Sequence, residues 1–433
     1  MSARTREFFG LIPVALMVTA GFTAVLITRS SQISTATLTY GAVFLGLCVF
    51  AHFFVRARLP DADPFMFPLA ALLAGFGLVM IYRINPDLAR KQAQWFVFGL
   101  IVFCATIVFL RDHRTLERYR YIIAGVSIAL LLAPRLPGIG GSTNGAYLSV
   151  SFGAFEFQPA EFAKIGVIIF LASYLRDTRD VLVRGRFPQI SLKHFGPLLI
   201  IWGAAMLMLI FIRDLGSSLM FFGAFLALLY VATSRLSFVA GGMGLFALGA
   251  WFLGSHIKHV QDRVTIWKDP FKPGLVEKEG YQVAQGLFAQ ADGGLFGKGF
   301  GKALLQSPYG GTLLPAPHTD LIYAVITDEL GLFGAVGLLV VYLLFIDRGF
   351  KTALVSGDAF SKLLATGLTA VVAIQVFVIV GGVTKVIPLT GVTLPLVSYG
   401  GSSIVANLLL LALLLILSDH ARRERHGGGG VVR

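Results

Sequence analysis

The sequence predicts an all-α fold, a polytopic transmembrane helix bundle of about twelve spans with long outer loops. Three observations predict it. Of 433 residues, 56% are hydrophobic and only 14% charged, against about 25% charged in a soluble domain. The mean hydropathy is +0.78. Apolar runs long enough for a hydrocarbon core of roughly 30 Å, about 20 residues at 1.5 Å each, recur along the whole chain.

In order, the runs fall at 8–28, 38–55, 64–82, 95–110, 119–133, 161–176, 195–212, 215–232, 238–254, 321–346, 362–382 and 400–418. The first is too long for a signal-peptide core, and no Ala-x-Ala site follows it, so it reads as a retained anchor. The runs at 119–133 and 161–176 are short. Residues 1–60 form a two-helix extension, 61–420 the core, and 421–433 a basic, Gly-rich tail expected to be flexible.

A net charge of +13 might point to nucleic acid. With the N-terminus in the cytoplasm, however, Lys and Arg concentrate in the cytoplasmic loops; Arg179, Arg184, Arg186 and Lys193 all fall in 177–194. That is the positive-inside bias, and no basic stripe interleaved with aromatics calls for a nucleic-acid partner. Cys48 and Cys104 lie in apolar spans, so no disulfide framework is expected, and the eight His are not at zinc spacing.

Three loops share one side: 134–160, 255–320 and 383–399. Long loops in a compact protein are functional or disordered, and these, rich in Gly, Pro and isolated polar residues, favour ordered turns and re-entrant structure. The chemistry is therefore expected outside the cell, on a multi-pass plasma-membrane protein with both termini cytoplasmic.

A charge at mid-membrane costs at least about 2.5 kcal/mol. Glu161 and Lys164 stand three residues apart at the start of a span, on one helix face; they are either a self-neutralising pair or part of a site. Asp214, after Arg213, reads as a helix N-cap. Asp320, one residue before a span, is either an N-cap alongside Thr319 or a carboxylate on the wall of the cavity the loops enclose. Asp328 and Glu329 follow eight and nine residues on, roughly 12–14 Å deeper along a continuous helix, and need polar partners. GGLFGKGFG and SYGGSS are not nucleotide loops, though their backbone N–H groups suit an anion.

Four motifs carry a family resemblance: NGA with QPAEFAK (144–146, 158–164), YQVAQGLFAQADGGLFGKGFG (281–301), LPAPHTDLIYAVITDELGLFG (314–334) and PLTGVTLPLVSYGGSS (388–403). In order and spacing the chain resembles the SEDS family (shape, elongation, division and sporulation) from about residue 64 to 418. Ala160 stands where that family usually has Ser, and two helices precede the family's ten.

The resemblance implies a peptidoglycan glycosyltransferase that polymerises lipid II, paired with a class B penicillin-binding protein. The tail and extra helices incline the reading to an elongation member, like RodA. The family's essential acid maps onto Asp320, and its Glu/Lys pair onto Glu161 and Lys164. Gln158, Asp214, His318, Thr319, Ser398 and Ser402 are candidates for substrate binding or structural support. Arg263, Lys298, Lys302 and Lys385, with a divalent cation (Mg or Mn) by resemblance only, are candidates to meet the leaving pyrophosphate. A lipid II flippase and a non-catalytic scaffold for a synthase are the alternative readings.

Overall fold

The structure, a computed structural model, describes residues 2–29, 35–110, 112–136, 140–143, 146–152, 155–184, 203, 214–306 and 312–428. The helices are α1 (Ala3–Arg29), α2 (Thr35–Arg58), α3 (Met66–Ile84), α4 (Pro86–Phe109), α5 (Arg114–Arg118), α6 (Arg120–Leu132) and α7 (Pro159–Arg184). Then come α8 (Leu215–Thr233), α9 (Leu236–His256), α10 (Lys258–Lys268), α11 (Tyr281–Gly293), α12 (Ile322–Val355), α13 (Ala359–Val383) and α14 (Gly401–Gly428).

Among the described residues, nine helices are long and apolar enough to cross a membrane by length and composition: α1 to α4, α8, α9, α12, α13 and α14. The expected spans at 119–133 and 161–176 are helical too, but α6 has only 13 residues and α7 carries several charges. The expected span at 195–212 lies outside the described residues.

Local chemistry sets several helix starts. Asn85 accepts hydrogen bonds from the N–H groups of Asp87 (2.9 Å) and Leu88 (3.3 Å), with Pro86 in the first turn of α4. Asp358 takes the Ser361 N–H at 2.9 Å to open α13. The hub is α14: 89% of its apolar window is buried, against 0% for the peripheral α9.

Three findings depart from the sequence expectations. The chain is not purely helical, because the first outer loop holds a three-stranded antiparallel sheet, β1 (Gly140–Thr143), β2 (Ala146–Phe152) and β3 (Phe155–Phe157), ordered β1-β2-β3. The Tyr-Leu-Ser-Val-Ser-Phe alternation of β2 reads as a half-buried strand, and Ser149 and Val150 within it are buried.

The second departure is the length of the last helix: α14 runs past the expected span end at 418 to Gly428, and the rest of the tail expected to be flexible, 429–433, lies outside the described residues. Asp419 is buried and takes the Asp61 N–H at 2.8 Å, Ser418 Oγ takes the Asp63 N–H at 2.7 Å, and Arg422 pairs with Asp63. Long-range partners at 61–63 hold the end of this helix in place.

The third concerns α12, which is broken at Gly331 (φ 67°, ψ −171°), a left-handed backbone that Gly adopts without steric cost. Residues 322–330 are therefore a short helix of their own, and the span begins after the break. Asp328 and Glu329, at the end of that short helix, are buried and have the polar partners the sequence requires. Glu329 pairs with Arg83, in the last turn of α3, at 2.9 Å, and takes the N–H groups of Gly301 (2.9 Å) and Ala303 (3.4 Å).

The two-helix extension shares the core with the rest: Val18, Phe22 and Val25 of α1 and Phe44, Cys48 and Val55 of α2 are buried in it. Glu7 Oε1 meets His52 Nδ1 at 2.8 Å, and Arg4 bonds both Glu7 and the Ala62 carbonyl. Cys48 and Cys104 are free thiols.

Candidate active site

The loop 384–400 runs back into the bundle. A side chain at Gly77, mid-way along α3, would place its Cβ 2.5 Å from the Val397 carbonyl; only a glycine lets the two backbones meet there. Non-helical backbone at membrane depth is stable only when protein groups satisfy it, and here they do. Tyr342 Oη donates to the Pro395 carbonyl at 2.5 Å, and Gln375 Nε2 to that of Thr393 at 2.8 Å. Gln92 accepts the Gly400 N–H at 3.1 Å and donates to the Ser398 carbonyl at 3.4 Å.

The loops 134–160 and 255–320 meet this re-entrant segment. Ser398 Oγ accepts the Leu394 N–H (2.9 Å) and donates to the Thr319 carbonyl (2.8 Å), while the Tyr399 N–H donates to the His318 carbonyl (2.8 Å). Ser402 Oγ accepts the Gln158 N–H at 2.8 Å, which brings in the loop before α7. From α10, Arg263 Nη1 donates to the Leu389 carbonyl (2.7 Å) and Trp267 Nε1 to that of Lys385 (3.1 Å).

Lys164 Nζ lies 2.6 Å from Glu161 Oε2 and 3.0 Å from Gln375 Oε1, and both charged side chains are almost wholly buried. Asp214 caps α8 as expected, taking the Ser217 N–H at 2.9 Å and its hydroxyl at 2.5 Å. Arg263 feels the charge of both Asp214 and Asp320.

Asp320 does not cap a helix. The residue before α12 is Leu321, and no side-chain cap is made there. The Asp320 carboxyl is instead hydrogen-bonded by Gln282 and Thr319, near Arg263 and beside Gly391. Burial raises its pKa above the usual carboxylate range, and the two hydrogen bonds and Arg263 oppose that rise. Burial likewise lowers the pKa of His318, whose ring packs edge-on against Tyr399 at 5.7 Å, so His318 supplies no positive charge at neutral pH.

Glu161, Lys164, Asp214, Arg263, His318, Thr319, Asp320, Ser398 and Ser402 thus fall in one connected site. Lys298 does not. It lies 2.6 Å from Asp292 and 3.7 Å from Asp328, against the short helix 322–330. The sequence reading missed Gln92, Gln282 and Gln375. Gln375 was legible as an isolated amide inside an apolar span, a signal overlooked by counting only charges.

This geometry defines a class: a polytopic membrane protein with a half-buried carboxylate–guanidinium site beside a re-entrant loop. The chain belongs to the cell cycle protein family of FtsW, RodA and SpoVE, the SEDS family, whose model matches residues 64–423. It is 38% identical over 423 residues to the peptidoglycan glycosyltransferase RodA of Mycobacterium bovis, covering 93% of this chain and 88% of that one. It is 31% identical over 367 residues to the stage V sporulation protein E of Bacillus subtilis, covering 81% and 95%. Among solved structures, the rod shape determining protein RodA of Thermus thermophilus superposes with a TM-score of 0.60 at 26% identity, covering 84% of this chain and 98% of that one. A chain of a peptidoglycan synthase complex that coordinates polymerization and crosslinking gives 0.67 at 26% identity, covering 83% and 98%.

Proposed function

We propose that this chain is a peptidoglycan glycosyltransferase that polymerises lipid II into glycan strands for cell shape, working at the outer face of the plasma membrane beside a class B penicillin-binding protein. The observation that carries it is Asp320, half-buried beside Gln282, Thr319 and Arg263, in a family whose relatives bear the glycosyltransferase name. The partner is supported by the resemblance to the synthase complex. The outer location and cytoplasmic termini are supported by the positive-inside bias.

In the reaction, an acceptor sugar hydroxyl attacks the anomeric carbon of the donor, and undecaprenyl pyrophosphate departs. Asp320 takes the hydroxyl proton as general base. A carboxylate whose pKa is raised by burial is a better base than a solvated one. Arg263 favours the ionised form of Asp320 against that burial, feels the charge of Asp214 as well, and donates to the Leu389 carbonyl. Lys302 and Lys385 pair with no carboxylate among the described residues and are candidates to meet the departing pyrophosphate. Among the described residues no three His, Cys, Asp or Glu side chains converge. A divalent cation, when bound, would supply positive charge to the leaving pyrophosphate.

The test is polymerisation of lipid II by the purified protein with no other transglycosylase present. Glycan chains are expected, and lipid II moved across a bilayer without polymer would establish the flippase reading instead.

The pH dependence carries a separate expectation. A general base works only when ionised, so activity falls on the acid side as Asp320 protonates, above the ordinary carboxylate range. Arg263→Gln removes a positive charge that favours the carboxylate, so the acid limb of kcat/KM is expected to move to higher pH. A profile lowered equally at every pH would show that Arg263 acts only on structure.

A further inference from the structure

On the side of α4 turned away from the re-entrant loop lies a groove of about 410 Å³, walled by Thr39, Tyr40 and Val43 of α2 and Arg90, Gln94 and Val97 of α4. The two helices start at the same end of the bundle and run in the same direction, with Phe44 and Phe96 packed at 5.0 Å between ring centroids. Their residues therefore descend together. Tyr40, Arg90 and Gln94 stand near the helix starts, and Val43, Ala93 and Val97 line the apolar wall below and beside them.

We propose that this groove binds one anionic phospholipid of the surrounding leaflet, with its phosphate at Arg90 and an acyl chain along Val43 and Val97. Three observations support this. The first is the polar-to-apolar order, which matches the order of a lipid from headgroup to chain. The second is charge: Arg90 is exposed, Lys91 beside it is exposed, and no carboxylate among the described residues pairs with Arg90. Basic side chains at the headgroup level attract anionic lipid, and the long Arg stem can lie along apolar surface while its guanidinium stays at the interface.

The third is that one wall of the groove is α2, outside the matched family segment 64–423, so the site exists only because the extension packs on the core. It is separate from the Asp320 site. Gln92 and Trp95, which hold the re-entrant loop and abut Gly401, face the opposite side of α4. A lipid seated here would buttress the helix that carries Gln92.

The experiment uses the full-length protein, delipidated in detergent and analysed by native mass spectrometry. Short-chain phosphatidylglycerol, phosphatidylcholine and inorganic phosphate are titrated in separate arms. One phosphatidylglycerol per chain is expected to bind at least ten-fold more tightly than phosphatidylcholine, with no adduct from inorganic phosphate alone. Arg90→Glu removes the charge and Val97→Trp fills the groove; each is expected to weaken phosphatidylglycerol binding at least five-fold without moving the thermal unfolding midpoint. If one variant unfolds, the other decides. Unchanged binding in a folded variant, equal binding of phosphatidylcholine, or an adduct from inorganic phosphate alone overturns the proposal. None of these readouts depends on polymerase activity.

Discussion

Asp320→Asn is expected to fold, reach the membrane and make no glycan from lipid II. The substitution keeps the size of the side chain and its hydrogen bonds to Gln282 and Thr319, but the amide cannot take a proton. General-base catalysis contributes typically 10²–10⁴-fold, so the expected loss is about that factor in kcat, with little change in KM. Stability is expected to hold or rise slightly, because a half-buried, partly desolvated carboxylate is replaced by a neutral group of the same shape. The measurement pairs in vitro polymerisation with the thermal unfolding midpoint of the purified protein. Retained polymerisation at a tenth of wild type or more would remove Asp320 from the base role. An inactive but unfolded protein would instead make it structural.

Neutralising one member of the Glu161–Lys164 pair is expected to be the most destabilising single change in the site. Both side chains are almost wholly buried at 2.6 Å, and Lys164 also donates to Gln375 Oε1 at 3.0 Å. Removing one partner leaves the other charge uncompensated, which costs about 3–5 kcal/mol in buried pairs. Glu161→Gln and Lys164→Met should therefore each lower the unfolding midpoint clearly and reduce yield from the membrane. The double exchange, Glu161→Lys with Lys164→Glu, should recover only part of the loss. The Gln375 amide is held by its bond to the Thr393 carbonyl at 2.8 Å, so its oxygen would face a carboxylate at 164. Adding Gln375→Lys to the exchange should recover more. Full recovery by the exchange alone would mean that Gln375 contributes nothing.

Much of the fold was legible in the chain because hydropathy and helix capping are local. The runs of α1 to α4, α8, α9, α13 and α14 stand out without any partner, and Asp214 announces its cap with Ser217 three residues on. The site was legible in part. Charges stranded beside apolar runs pointed to Glu161, Lys164, Asp214 and Asp320, and the four motifs joined them to a family. Gln282 carries no charge and was passed over, although it bonds the central carboxylate. The short strands at 140–157 were too brief to register against the long apolar runs around them.

By itself the sequence determined a membrane bundle, its family, and the list of polar residues too costly to bury without a purpose. Only the tertiary structure decided who meets whom. Lys164 finds Gln375 across 211 residues of chain, and Ser398 finds Thr319 across 79. It also decided that Arg263 feels the charge of Asp214 and Asp320 while Lys298 serves Asp328, and that Gly331 divides what hydropathy reads as one span. The physical reason is range. Apolar periodicity and caps act within a few residues, whereas the polar contacts of a buried site are made between segments whose separation along the chain leaves no local trace.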